Sequence, residues 1–331
     1  MRRVVRIVGI IDIIFIFMIF GCLIFKGKII RLLIKQNNLV LAKSIYIEKD
    51  VMEEVAITNY IGVDSKVDRV SFLGEVSKSS TVVDEYEEEI LVKDKGNSDY
   101  KVINVNINGY KGYLVAIYDP AKVKLVTSKG FNQGNTGQQT VIDICNRYGG
   151  LVCINGGGFV DYGTGSDIPL GYVIEDGKIK WKVNKKSYLI GFNNDNEMVL
   201  MYATGEEAVS QGVRDALEFG PFLIDKGKIL VNENTLVGGF KGAARVAIAQ
   251  RRDGIVLFLV TEGRHAKGPT VIDVASLLAK YGAYMAANLD GGASSSLVIQ
   301  GKLINNPLNI YGQPVNYGRG RGVVTGFGLV K

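Results

Sequence analysis

Histidine, cysteine and proline are scarce in this 331-residue chain, which has 1, 3 and 6 of them. A single histidine and the lack of any CxxC pair leave no ligand spacing for zinc, so the sequence does not indicate a zinc site. Cys145 and Cys153 lie close in sequence, and either a disulfide or two buried thiols would suit them. Dense basic blocks with interleaved aromatics are also missing. The net charge of +6 therefore indicates an anionic substrate or a solvated surface, and no nucleic-acid partner.

The longest apolar run lies near the N-terminus, at residues 7–25, and Asp12 is its one charged residue. It is long enough to span a bilayer. No small-x-small cleavage site follows it, so we expect an uncleaved signal anchor, although residues 19–22 faintly resemble a lipoprotein cleavage box. The prediction is a single-pass protein of the cell membrane. Residues 1–28 would form a cytoplasmic tail and transmembrane helix, and the C-terminal domain would be extracellular.

Two further segments follow the predicted anchor. Residues 29–100 have the character of a membrane-proximal region, and their acidic run is more typical of a solvated face than of a metal site. From Tyr100 onward glycine is abundant and short alternating strands are predicted, so residues 101–331 are expected to form the main domain. The predicted fold class is α+β: a mixed, largely antiparallel sheet system with packed helices, preceded by the single N-terminal transmembrane helix.

The main domain contains a partial repeat. Residues 140–144 (TVIDI) return as residues 270–274 (TVIDV), and the glycine-rich residues 155–158 correspond to residues 288–292. Each copy is typical of an amphipathic helix, a glycine stop, a short buried strand and a polar turn, and in the second copy Thr270 can cap the helix. Two such units would place both glycine-rich turns at one mouth.

The second of these turns, residues 288–296 (NLDGGASSS), is the strongest candidate for chemistry. Asp290 follows a predicted strand and precedes two glycines, which allow the backbone to bend sharply and approach a ligand. Three hydroxyls then supply hydrogen-bond donors and acceptors. A plain strand-to-strand turn is the alternative for this motif on its own, as a surface ion pair is for Glu262 and Arg264, which also follow a predicted strand.

Five motifs, in order along the chain, resemble those of the phosphodiester glycosidase family. They are Asn155-Gly156-Gly157-Gly158-Phe159, Gly220-Pro221-Phe222-Leu223-Ile224, Arg245-x-Ala247-Ile248-Ala249, Gly263-Arg264 and Asn288-Leu289-Asp290-Gly291-Gly292-Ala293-Ser294-Ser295. The resemblance covers about residues 100–331. The chain departs from the family pattern at Val246, Glu262 and Ala293, where threonine, aspartate and a third glycine are usual, and the longer acid at 262 bears on substrate choice.

The resemblance implies a hydrolase that cleaves the glycosidic bond of a sugar-1-phosphodiester in an envelope or extracellular glycan. Asp290 and Glu262 would be the catalytic residues, each as nucleophile or as base on water. Arg245 and Arg264 would hold the phosphate, and backbone N–H groups of the glycine-rich turns would bind the same oxygens. The implied substrate-binding residues are Asn155, Gly156, Gly157, Arg245, Arg264, Asn288, Gly291, Gly292, Ser294 and Ser295.

Two other functions would use the same residues. One is a non-catalytic envelope protein that binds or organises an exopolysaccharide, and the other is a metal-dependent phosphodiesterase that cuts the P–O bond. No cofactor is expected. A divalent cation between Asp290 and Glu262 stays an option without a recognised ligand spacing. The expected partners are a glycan or sugar-phosphate substrate and, through the N-terminal helix, the membrane.

Overall fold

The computed structural model describes residues 85–131, 137–160 and 167–331, which form strands and a few short helices. The helices are α1 (Glu85–Leu91), α2 (Val141–Arg147), α3 (Gly205–Ser210) and α4 (Val271–Lys280). The strands are β1 (Tyr100–Ile107), β2 (Tyr110–Ile117), β3 (Val123–Thr127), β4 (Gln139–Thr140), β5 (Gly150–Asn155), β6 (Val173–Glu175), β7 (Lys178–Trp181), β8 (Ser187–Asn193), β9 (Met198–Ala203), β10 (Val213–Glu218), β11 (Phe222–Asp225), β12 (Lys228–Ile229), β13 (Val246–Arg251), β14 (Val256–Thr261), β15 (Ala283–Leu289), β16 (Leu297–Ile299), β17 (Lys302–Leu303), β18 (Gly322–Val323) and β19 (Thr325–Val330).

Three sheets make up most of the domain. The large sheet has seven strands in the order β1-β2-β14-β13-β15-β11-β12. The second sheet has the order β17-β16-β5-β19-β3, and the third sheet has the order β7-β6-β10-β8-β9. Every strand pair within the described residues is antiparallel. The prediction of a largely antiparallel α+β domain is therefore confirmed, and the parallel pairs that a mixed sheet allows do not occur in this part of the chain.

The main hydrophobic core lies between the inner faces of the three sheets. It includes Ile154 of the second sheet, Leu217 of the third and Val246 of the large sheet, all fully buried. The outer face of each sheet packs on helices: the large sheet on α4 and α1, the second sheet on α2 and the third sheet on α3. Strands such as β13 are thus buried on both faces, which explains their continuous apolar sequence.

The two predicted helix-strand-turn units are both present. Thr140 accepts a hydrogen bond from the backbone of Asp143 at the start of α2, and Thr270 and Asp273 form a reciprocal capping box at the start of α4. In each unit the helix ends at a tyrosine followed by a left-handed glycine, with φ +64° and +78°. The strands β5 and β15 follow directly and lead into the glycine-rich turns.

Cys145 of α2 and Cys153 of β5 form a disulfide. The bond joins the helix and the strand of the first unit, which settles the question that the sequence left open. None of the helices in the described part of the chain is long and apolar enough to cross a bilayer. The predicted transmembrane helix lies outside the described residues, as does most of the membrane-proximal region.

Candidate active site where the three sheets meet

One strand from each of the three sheets ends at the same place in the fold, which we call the mouth. These strands are β5, β10 and β15, and they end at Asn155, Glu218 and Leu289. The backbone N–H of Asp290 donates to the carbonyl of Gly156 at 2.9 Å, and Nδ2 of Asn155 donates to the carbonyl of Asp290 at 2.6 Å. The two glycine-rich turns therefore touch, as the repeat predicts.

Two buried asparagines hold the turn that carries Asp290. Asn155 is 1% exposed, and its Oδ1 accepts from the N–H of Ser296 at 2.9 Å. Asn305 accepts from the N–H of Leu297 at 2.8 Å and donates to the carbonyl of Ser295 at 2.9 Å. Each amide thus binds one donor and one acceptor of the main chain, and the two together fix both ends of the turn.

The glycines of the first turn are needed for close packing. A methyl group added to Gly156 would lie 2.4 Å from Cδ2 of Leu217, and one added to Gly157 would lie 2.7 Å from the carbonyl oxygen of Glu218. Their N–H groups donate to the carbonyl and to Oγ1 of Thr325, each at 2.9 Å. These two N–H groups are therefore engaged inside the protein, and the expectation that they bind phosphate oxygens is not met.

A second set of glycines packs around the segment 243–245, just before β13. A methyl group on Gly268 would lie 2.3 Å from the carbonyl of Ala243, and one on Gly291 would lie 2.6 Å from the carbonyl of Ala244. Gly263 adopts φ +147° and lies equally close to Ala244 on the other side. The segment that carries Arg264 and the turn that carries Asp290 therefore flank the same central strand.

Arg245 is a buried cation without a carboxylate partner among the described residues. It is 2% exposed, and its guanidinium donates to the carbonyls of Phe240, Lys241 and Pro269. Burial lowers the pKa of Arg245 to about 10, so the side chain stays charged at neutral pH. Its positive potential favours an anion nearby. Its hydrogen bonds connect the loop at residues 240–241 with the loop at Pro269.

Arg264 differs from Arg245 because its guanidinium is available. Arg264 is half-buried and lies against the loop at Gly312, and its side chain makes no hydrogen bond or ion pair with any residue that the structure describes. The backbone N–H groups of Gly158 and Gly291 are likewise without an acceptor in the described ranges. Gly158 is buried, whereas Gly291 and Arg264 are half-buried, so one guanidinium and the N–H of Gly291 are the donors that a bound anion would find.

Glu262 follows β14 and points toward the C-terminal loop. Its Oε1 accepts from the N–H of Asn306 at 3.0 Å. Burial raises the pKa of Glu262, and the hydrogen bond from Asn306 and the charge of Lys111 oppose that shift. Because β13 lies between β14 and β15, Glu262 is about two strand spacings, roughly 10 Å, from Asp290 at the level of the backbone.

The remaining predicted site residues are all buried. Asn288 and Ser295 are fully buried, and Nδ2 of Asn288 donates to the carbonyl of Gly220 beside the cis peptide bond to Pro221. These two residues therefore support the turn from the protein interior. Gly292 has φ +58° and lies beside the ring of His265, and the hydroxyl of Ser294 makes no hydrogen bond within the described part of the chain.

The sequence analysis did not single out Glu218, Thr325 and Asn305. Glu218 lies at the end of β10, two residues before the Gly220–Pro221 motif, and brings a third acid to the mouth. No local motif marks Asn305 or Thr325. The partner of Thr325 is Gly157, which is distant in sequence, and Asn305 approaches Ser295 only in the folded chain. In the described residues no group of three or more His, Cys, Asp or Glu side chains is placed to hold a metal ion.

Comparison with known proteins agrees with this geometry. The family model for phosphodiester glycosidase matches residues 148–330, more than half of the chain. A prophage-derived protein of Bacillus subtilis, YomE, is 30% identical over 57% of this chain and 30% of its own length. N-acetylglucosamine-1-phosphodiester alpha-N-acetylglucosaminidase of Mus musculus is 27% identical over 59% of this chain and 41% of the mouse protein. The chain thus spans less than half the length of these curated relatives.

A solved structure shows the same fold. The catalytic domain of zebrafish N-acetylglucosamine-1-phosphodiester alpha-N-acetylglucosaminidase, auto-inhibited by its pro-peptide, superposes with a TM-score of 0.60 at 21% identity. The superposition covers 70% of this chain and 82% of that one. With the family match over residues 148–330, these findings establish that the chain belongs to the phosphodiester glycosidase family.

Proposed function

We propose that this protein hydrolyses the glycosidic bond of a sugar-1-phosphodiester, with N-acetylglucosamine-1-phosphodiesters as the first class to test. Support comes from the family and from the activity that the names of the mouse and zebrafish proteins give them. The observation that carries the proposal is the pairing of two groups at the mouth. Asp290 is fixed through its backbone by Asn155 and Gly156, and an available guanidinium, Arg264, lies across one intervening strand.

The roles follow from the chemistry of these groups. A phosphate is a good leaving group, so binding its charge contributes more than protonating it. Arg264 and the N–H group of Gly291 would bind the phosphate oxygens, with the positive potential of Arg245 behind them. Asp290 would act at the anomeric carbon, as nucleophile or as base on water. Glu262, which holds the loop at Asn306, would support the site.

We further propose that the enzyme is anchored in the cell membrane and acts outside the cytosol on an envelope or extracellular glycan. The apolar run of residues 7–25 supports an anchor. The Cys145–Cys153 disulfide supports an oxidising compartment, because cytosolic thiols are kept reduced. Membrane fractionation, followed by protease treatment of intact cells, tests both statements. A soluble cytosolic protein would contradict them.

The activity is tested with the full chain and a panel of sugar-1-phosphodiesters, by measuring free sugar and phosphomonoester. Asp290→Asn should lower kcat by at least about a thousandfold, because the variant lacks the carboxylate. Asp195→Asn is the matched control, since Asp195 is exposed in the turn between β8 and β9. Hydrolysis in oxygen-18 water should place the label on the sugar. Label on the phosphate would indicate P–O cleavage, and saturable glycan binding without turnover would indicate a binding protein.

A further inference from the structure

The C-terminal segment 306–321 lies against the mouth at three points. The N–H of Asn306 binds the carboxylate of Glu262 at 3.0 Å. A methyl group on Gly312 would lie 3.6 Å from Cδ of Arg264, and one on Gly320 would lie 3.1 Å from Oγ of Ser296. The segment therefore borders both the acid-bearing turn and the available guanidinium.

The segment is folded, although most of it is exposed. Its tip is a ribbon with a bridge between Leu308 and Pro314, and Oδ1 of Asn309 accepts from the N–H groups of Tyr311 and Gln313. Nδ2 of Asn316 closes the second half on the carbonyl of Gly320 at 3.1 Å. Because these hydrogen bonds fix the backbone, side chains on the segment are preorganised for contact with a ligand.

Three large side chains of this segment face solvent. Ile310, Tyr311 and Tyr317 are 55%, 79% and fully exposed, and we call them the tyrosine platform. Tyr317 and its neighbour Asn316 adopt left-handed backbone with φ near +50°, a conformation that costs free energy for residues other than glycine. Exposed aromatic side chains on ordered backbone are typical of surfaces that recognise ligands.

The charged residues of the segment itself are basic, and it contacts the acids Glu262 and Asp143. No aspartate or glutamate follows Asp290 in the chain, and the stretch contains Lys302, Arg319, Arg321 and Lys331. Arg319 is 59% exposed along its side chain and has only a long contact of 3.4 Å to Asp143. Aromatic faces next to arginines suit a ligand that alternates sugar rings with phosphates, since rings stack on tyrosine and phosphates bind guanidinium.

We propose that the tyrosine platform, with Arg264 and Arg319, is a subsite for the part of the substrate beyond the scissile phosphate, and that this part is an anionic polymer of sugars joined by phosphodiesters. The inference rests on the proposed glycosidase function and specifies its substrate class. Arg264 would bind the phosphate at the mouth, and the tyrosines and Arg319 would bind the next units. A polymer would then be a better substrate than a diester with a small leaving group.

Two matched substrates test the subsite. One is the methyl phosphodiester of N-acetylglucosamine-1-phosphate, and the other is a tetramer of N-acetylglucosamine units joined by 1,6-phosphodiesters. The measured quantity is the ratio of kcat/KM for the tetramer to kcat/KM for the methyl diester. The double variant Tyr311→Ala, Tyr317→Ala should lower this ratio about thirtyfold, if each ring contributes as an ordinary interface aromatic does. Tyr311→Trp should keep the ratio, because stacking is retained.

The control variant is Val92→Ala, which truncates another exposed apolar side chain, just after α1. It should leave the ratio unchanged. Binding of the tetramer to Asp290→Asn, compared with an uncharged N-acetylglucosamine tetramer, measures the subsite without turnover. Weaker binding after the tyrosine substitutions, with no turnover by the wild type, would keep the subsite and refute the glycosidase. A ratio unaffected by the tyrosine substitutions, or equal binding of charged and uncharged tetramers, would refute the subsite alone.

Discussion

Replacing Asn155 by alanine removes two hydrogen bonds from the centre of the site. The N–H of Ser296 and the carbonyl of Asp290 lose their partners, at 2.9 and 2.6 Å in the native protein. Leaving a buried donor or acceptor unpaired costs about 1–3 kcal/mol for each group. We therefore expect the free energy of unfolding to fall by about 3 kcal/mol, which in a domain of this size lowers Tm by about 6–12 °C.

Asn305 provides a matched control. It is also buried, and it makes the same two kinds of hydrogen bond, to the N–H of Leu297 and the carbonyl of Ser295. Asn305→Ala should therefore destabilise the protein about as much as Asn155→Ala. It does not release Asp290, however, so the two variants should differ in activity while they agree in stability.

The assay is urea unfolding for both variants, followed by hydrolysis of a sugar-1-phosphodiester at a temperature where both are folded. Asn155→Ala should lower kcat/KM at least about tenfold, which corresponds to about 1.4 kcal/mol of lost transition-state stabilisation. Asn305→Ala should stay within about twofold of the wild type. Equal activity losses in the two variants, or a fully stable Asn155→Ala protein, would refute this account of how Asp290 is positioned.

Three further outcomes concern stability. Arg251→Met should cost about 3 kcal/mol in urea unfolding, because the buried guanidinium holds α1 through Glu87. Glu87→Gln should cost less than about 1 kcal/mol, since the side chain of Glu87 is 41% exposed, and equal losses would contradict this. Replacing Cys145 and Cys153 by serine should cost about 2.5 kcal/mol of loop-closure entropy for a sequence separation of 8, and dithiothreitol should not destabilise that variant further. Burial raises the pKa of Glu262, so as pH rises the carboxyl group keeps its proton longer in the folded state than in the unfolded chain. The free energy of unfolding of the wild type should therefore fall relative to that of Glu262→Gln as pH rises through the carboxyl range. A relative increase in the free energy of unfolding would contradict the shift.

Local signals in the sequence predicted much of the secondary structure. Three glycines that follow short apolar runs, Gly177, Gly227 and Gly301, predict hairpin turns because glycine supplies a positive φ. All three hairpins form, and these glycines adopt φ between +70° and +81°. The predicted helix cap at Thr270 also forms, and Thr140 caps the corresponding helix of the first copy. In each case the decisive contacts join residues a few positions apart, so sequence spacing alone specifies them.

The order of the strands could not be predicted in the same way. β5 lies between β16 and β19, and β2 pairs with β14, so the partners are far apart in sequence. Many of these strands are buried on both faces and lack the alternation that would indicate which side faces solvent. For the same reason the burial of Arg245 and the role of Asn305 emerge only once the sheets are assembled.

The glycines of the site motifs have two different roles, which are distinguishable in the folded protein. Gly156 and Gly157 allow strands to approach closely, and their N–H groups donate within the protein. Gly291 keeps a half-buried N–H group without an acceptor among the described residues. Ala293 stands where the family usually has a third glycine, and it lies inside a short 3-10 helix without a positive φ, so a side chain is tolerated there. The departure at 293 therefore leaves the proposed anion-binding donors in place, and the changed acid at Glu262, with its hydrogen bond to the C-terminal segment, is where substrate preference would differ.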